Sequence, residues 1–148
     1  MLTQREKNTA FLTHLSAFAS FIFPFGAILG PLVMWSVNKN RSEFVDENGV
    51  QAVNFNISYV LYVFVLGALA FPFAFGTIFN RLRHIDDFDN IDLHLNFNWG
   101  FDNLFGVLSV GSIIAIIVFI RIILTIVAAV KASRGETYKY PLTINFIK

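Results

Sequence analysis

Three long apolar runs, at about residues 10–37, 50–79 and 104–130, leave this chain few ways to fold. Each exceeds the ~20 residues that carry a helix across about 30 Å of hydrocarbon. Backbone in hydrocarbon must satisfy its own hydrogen bonds, so such runs are helices. The expectation is an all-α membrane protein with one integral membrane domain over residues 1–148. It is a small bundle with a broken or re-entrant first segment and two long transmembrane helices, completed by a short strand-like outer loop and a C-terminal tail. With 55% hydrophobic residues and 18 Phe in 148 positions, the chain is too apolar for an ordinary soluble domain. The composition places it in the cell membrane as a multi-pass protein, with the lipid bilayer as its first partner.

The first run is interrupted at Pro24-Phe25-Gly26 and again at Gly30-Pro31. Proline lacks the helix donor, so Pro24 is expected to free the Ser20 carbonyl and Pro31 that of Ala27. Residues 10–37 then form one kinked span or two half-helices in a re-entrant hairpin. Charge favours the hairpin. It puts eight Lys and Arg on one side and only Arg81 and Arg83 on the other, whereas a single crossing divides them four against six. Both termini and the 38–48 loop are then cytoplasmic. Arg5 and Lys7 ahead of an apolar run also resemble a signal peptide, but the run continues well past the Ala17-Phe18-Ala19 cleavage-like site, so the segment is expected to stay.

At Phe44–Ser58, FVDENGVQAVNFNIS, a charged loop passes into the second run while still carrying amides. A helix starting near Glu47 aligns Glu47, Gln51, Asn54 and Ser58 on one face. Such a stripe faces a neighbouring helix or a water-filled path. Arg121 lies midway along the last run, and no Asp or Glu lies in any apolar run. Its candidate acceptors are Gln51, Asn54, the carbonyls of Ser20 and Ala27, or lipid phosphate. His14, near the start of the first run, reads as an interface histidine more readily than as a proton carrier. Gly67, Gly76, Gly106 and Gly111 are small positions at which helices can approach closely.

The loop at 80–103 holds Asp86, Asp87, Asp89 and Asp92, then alternates apolar and polar residues from Ile91 to Trp99, a strand pattern with one apolar side. The carboxylates lack the glycine and distal glutamate of a calcium loop, and His84 and His94 have no zinc-type companions. The cluster reads as a solvated face, with no metal and no cofactor. Zero Cys excludes thiol chemistry, and no hydrolase elbow, phosphate loop or dinucleotide fingerprint is present, so an enzyme is not expected. A net charge of +1 without a basic cluster gives no argument for nucleic acid. After Lys131 and Arg134, Gly135 reads as a helix cap. The tail then alternates Tyr138, Tyr140, Leu142, Ile144 and Phe146 against Lys139, Pro141, Thr143 and Asn145, as an extended strip on the cytoplasmic face, where Arg134 or Lys139 could pair weakly with Asp46 or Glu47.

Three stretches, HLSAFASFIFPFGAILGPLVMW (14–35), FVDENGVQAVNFNISYVLY (44–62) and GETYKYPLTINFIK (135–148), carry a resemblance over nearly the whole chain. It resembles a widespread bacterial family of small multi-span proteins of unknown function, related to the Tic-type protein-import component of the chloroplast inner envelope. The resemblance implies a helical membrane fold and permits a channel or translocation role. Two readings follow. In the first, His14, Gln51, Asn54, Ser58 and Arg121 line an internal polar site of a channel-like or translocation-associated protein. In the second, the chain is structural. It binds other membrane proteins or a second copy through Phe44, Asp46, Glu47 and Gly49 of the loop and Tyr138, Tyr140 and Pro141 of the tail, or through the outer strand.

Overall fold

The first helix, α1 (Gln4–Leu15), starts with a reciprocal cap: Thr3 Oγ1 accepts the Glu6 N–H, and the Glu6 carboxylate accepts the Thr3 N–H at 2.7 Å. The structure is a computed structural model describing residues 2–82 and 101–148, with side chains other than those at 70, 72–82 and 101–110. From Ser16 to Phe21 the chain tightens into a 3-10 stretch, then turns at 22–25 and re-enters a helix, α2 (Gly26–Asn38). Helix α2 packs back along both the 3-10 stretch and α1, so the first apolar run is a hairpin and not one kinked span.

Only one of the two expected breaks occurs. Pro24 lies in the turn, whereas Pro31 sits inside a continuous α2 and is buried. It forgoes the bond its nitrogen would give Ala27, and the close packing of α2 on the 3-10 stretch holds the helix together. That packing rests on Gly26 and Gly30, one turn apart. A Cβ at Gly26 would run into the Ala19 carbonyl, and one at Gly30 into the Ser16 carbonyl, so the two backbones touch with no side chain between them. Phe25 makes the turn with φ 66, a left-handed conformation that costs a non-glycine residue about 1 kcal/mol. Its neighbours Phe21, Ile22 and Phe23 are exposed with it at the hairpin tip.

Helix α3 (Glu43–Leu82) begins earlier than the sequence suggests, so the FVDENG segment is helix and the loop shrinks to 39–42. Ser42 Oγ accepts the Val45 N–H, and Glu43 and Asp46 place negative charge in the first turn, which together outweigh the turn-prone look of Asp-Glu-Asn-Gly. Helix α4 (Phe101–Arg134) ends in Lys131 and Arg134, with Gly135 at φ 90 as its cap. Within these helices, Glu43–Leu69 and Gly111–Arg134 are long and apolar enough to cross a membrane. At 1.5 Å per residue they measure roughly 40 and 36 Å, more than the hydrocarbon thickness.

The chain divides into two compact units. One, Met1–Tyr62 with Val118–Lys148, holds the hairpin, the first half of α3, the second half of α4 and the tail. Its core joins Phe55, Ala128 and Tyr140, with Leu124 and Tyr138 against them. The other, Val63–Ile117, carries outward apolar side chains such as Phe64, Leu69 and Ile116. Among the described residues, nothing lies within 4 Å of a Cβ built at Gly67 or Gly111. The acidic cluster and the alternating Ile91–Trp99 stretch lie outside the described residues. Among the described residues there is no strand.

Candidate functional site

Helix α3 carries two polar faces, because residues two apart point about 200° apart around a helix. One face holds Asn48, Asn56 and Tyr59; the other holds Asn54, Ser58 and Tyr62. On the first face each asparagine fixes its own amide by donating to the carbonyl four residues back, Asn48 to Phe44 at 2.9 Å and Asn56 to Ala52 at 2.8 Å. Both amide oxygens are thereby free to accept from other segments.

The Asn56 oxygen meets Arg121. The guanidinium donates to it through Nε at 3.2 Å and Nη2 at 3.1 Å, to the Ala17 carbonyl through Nη2 at 2.9 Å, and to the Ser20 hydroxyl through Nη1 at 3.2 Å. Its carbon sits 4.6 Å from the centre of the Tyr59 ring. Arg121 is 4% exposed, so neutral dipoles and one aromatic face replace the water of a nearly buried cation. The expectation that broken backbone in the first segment would serve this arginine holds in kind but not in residue. The acceptors are Ala17 and the Ser20 side chain, since the tightened 3-10 register presents those groups to α4, and Asn56 takes the part assigned to Gln51 or Asn54.

The Asn48 oxygen meets His14, fully buried, at 3.0 Å from Nε2. That contact requires the proton on Nε2, so Nδ1 is the acceptor and the Tyr140 hydroxyl, 3.0 Å away, donates to it. Tyr140 also stacks on Phe55, with centroids 3.9 Å apart, and meets Tyr138 edge-on. Burial holds the His14 imidazole down at about 4, against the opposing pull of its bond to Asn48, and pushes the Tyr140 phenol above its usual range. Helix α1 is not one of the two helices of spanning length. A buried neutral histidine costs nothing above the unfolded value of 6.5. As pH falls from there toward 4, the unfolded chain gains a proton that the fold refuses, and stability drops by up to about 3 kcal/mol. Thermal unfolding in detergent is expected to show this loss, and His14→Gln to flatten the profile over the same range.

On the second face, Asn54 and Ser58 hold the tail. Asn54 Oδ1 accepts the N–H groups of Phe146 at 3.1 Å and Ile147 at 2.9 Å, while its Nδ2 donates to the Ile147 carbonyl at 2.8 Å. Ser58 Oγ accepts the Ile144 N–H at 2.8 Å, and the Tyr62 hydroxyl donates to the Leu142 carbonyl at 2.8 Å. The alternation expected along the tail does not survive. Tyr140 is buried, but a turn at Pro141 and Leu142, with Leu142 at φ 56, leaves Leu142, Ile144 and Phe146 exposed.

The remaining candidates scatter. Gln51 is half-buried and makes no hydrogen bond among the described residues. Asp46 accepts the Trp35 indole N–H at 2.6 Å, and buried Gly49 leaves room for the Trp35 ring, which a Cβ there would strike. Glu47 accepts the Thr137 hydroxyl at 3.1 Å. Neither acid pairs with Arg134 or Lys139; the ion pair among the described residues is Lys131 with Glu136 at 3.8 Å. Phe44 contributes its carbonyl to Asn48, and Pro141 is exposed. Sequence reasoning missed Asn48, Asn56 and Tyr59. The 4, 4 and 3 spacing of Asn48, Ala52, Asn56 and Tyr59 was the available signal, a second helical stripe behind the one at Asn54.

Neither a curated protein nor a solved structure matches the chain. A family model does, over residues 5–147, and that extent supports the expected small bacterial membrane family while lending nothing to the Tic-type relationship. Two apolar helices of spanning length and this match agree on a membrane location. The chain belongs to the MamF_MmsF family, the magnetosome magnetite crystal formation protein family.

Proposed function

We propose that this protein is a structural membrane module, without enzymatic activity, that organises itself or neighbouring proteins in the bilayer. The carrying observation is the use made of its polar residues. His14, Asn48, Asn54, Asn56, Ser58 and Arg121 are all buried, and every one bonds to another part of the same chain. A conducting or translocating path needs polar groups left over for a solute. Here they close the hairpin, α3, α4 and the tail on one another. The family description concerns magnetite crystal formation; carried to this chain, it points to a membrane at which mineral grows, with an architectural part for the protein there. The channel-like or translocation-associated reading takes second place.

Both termini and the 39–42 loop are assigned to the cytoplasmic side, because a hairpin followed by two spans returns the chain to the side it started from and keeps the positive-inside bias. The test is reconstitution of the full chain in sealed vesicles, read by potassium, proton and ferrous-ion flux. Flux equal to that of protein-free vesicles is expected, and Asn54→Ala is expected to change nothing. Flux that Asn54→Ala abolishes would return the stripe to the channel reading. Because the chain has no Cys, single cysteines at Asn8 and Asn40 test the topology, and both should label from the cytoplasmic side.

A further inference from the structure

The second polar face of α3 recognises main chain. All five bonds that Asn54, Ser58 and Tyr62 send to the tail end on backbone N–H or C=O groups of residues 142–147, and none on a side chain. The side chains of Leu142, Ile144 and Phe146 are exposed. The two segments run antiparallel: Leu142 lies at Tyr62, Ile144 at Ser58 and Ile147 at Asn54. Asn54 acts as a surrogate peptide group, accepting and donating as a neighbouring strand would.

We propose that this face is a backbone-reading site for an extended polypeptide, filled in the single chain by its own tail and filled in trans by the tail of a second copy. Three observations carry it. Asn54 and Ser58 are each 1% exposed with the tail in place, so an emptied site would leave the Asn54 amide without partners on a spanning helix. An occupant is therefore always required, and the tail of another copy reproduces every contact made by the first. Gly135, at φ 90, caps α4 and is the point at which the chain leaves it for the tail. From there to Leu142, seven residues extend roughly 23 Å, so a second copy whose Asn54–Tyr62 face lies within that distance of Gly135 is in reach of the tail. The inference rests on the structural reading above and names its partner as a second copy of this chain.

Two differently tagged full-length variants test it. One carries Asn54→Leu and Ser58→Ala, which remove four of the five bonds to the tail and release its residues 144–147. The other carries Ile144→Pro, Phe146→Pro and Ile147→Pro, which remove the N–H groups the site accepts and leave the site vacant. Together they restore one complete pairing between chains. Capture of the mixed pair from detergent, with loss of capture when either variant meets only itself, is the expected result. Equal capture in all pairings, or none with both proteins folded, overturns the proposal.

If a variant does not fold, the unsubstituted chain serves. Two tagged copies are challenged with a synthetic peptide of residues 136–148, or with the same peptide N-methylated at Phe146 and Ile147. The first should abolish co-capture and the second leave it intact; identical behaviour of the two peptides overturns the proposal. Ion flux in the vesicle assay would sink the structural reading without touching co-capture, so the two failures are distinguishable.

Discussion

Asn56→Leu and Arg121→Leu are each expected to destabilise the protein by about 3 kcal/mol, and combining the two to recover part of the summed loss. Asn56 supplies the oxygen that takes two of the four hydrogen bonds of Arg121, and no carboxylate among the described residues stands by to replace it. Removing that oxygen strands a cation that is 4% exposed, and the cost of an uncompensated buried charge is about 3 kcal/mol or more. Arg121→Leu removes the charge itself. It leaves the Asn56 oxygen, the Ala17 carbonyl and the Ser20 hydroxyl short of a donor, each a neutral group whose lost bond costs about 1 kcal/mol. In the double variant neither the charge nor the amide remains, so its loss is smaller than the sum of the singles. The measurement is a double-mutant cycle on thermal or denaturant unfolding in detergent, and a coupling near zero would mean that Arg121 does not depend on Asn56. Arg121→Lys should also be costly, since a single ammonium cannot reach Asn56, Ala17 and Ser20 in the geometry of the planar fork.

Much of this architecture was legible in the sequence because it depends on length and polarity. Runs longer than the bilayer is thick can be little else than membrane helices, and Pro24 beside Gly26 marks where the first one turns back. What escaped depends on angle. Asn54 and Ser58 were visible as a stripe, yet their partner, a tail more than 80 residues away, could not be read from spacing. Asn56 sits two residues beyond Asn54 and so faces the opposite way, which is why Arg121 finds it while Asn54 serves the tail. The FVDENG segment reads as a loop in the sequence because Asp, Asn and Gly favour turns individually. Their favourable use here, acids in a first turn behind a serine cap and a glycine beneath Trp35, appears only when the preceding helix is in place. Gly26 and Gly30 sit beside prolines that suggest two helix breaks, while their spacing of four is that of a close helix contact.

That glycine pair supports the second large effect, which joins the hairpin to the arginine. Gly30→Ala puts a methyl group into the Ser16 carbonyl, and backbone on both sides cannot yield as a flexible side chain would. The helices must separate, at a cost of about 3 kcal/mol by analogy with overpacked cores. The 3-10 stretch that α2 would push away is the same stretch that presents Ala17 and Ser20 to Arg121, so the damage passes to the buried cation. Gly67→Ala and Gly111→Ala are the controls. With open space at each Cβ among the described residues, they replace a poor helix former with the best and should leave stability unchanged or raise it by up to about 1 kcal/mol. Unfolding midpoints of the three variants in one detergent decide the matter, with Gly30→Ala alone expected to fall. If it does fall, pairing it with Arg121→Leu separates the two contributions: a loss smaller than additive shows that the hairpin and the guanidinium act as one unit. A fully additive loss would mean that the close approach at Gly30 holds α2 in place without steering Ala17 and Ser20 toward α4.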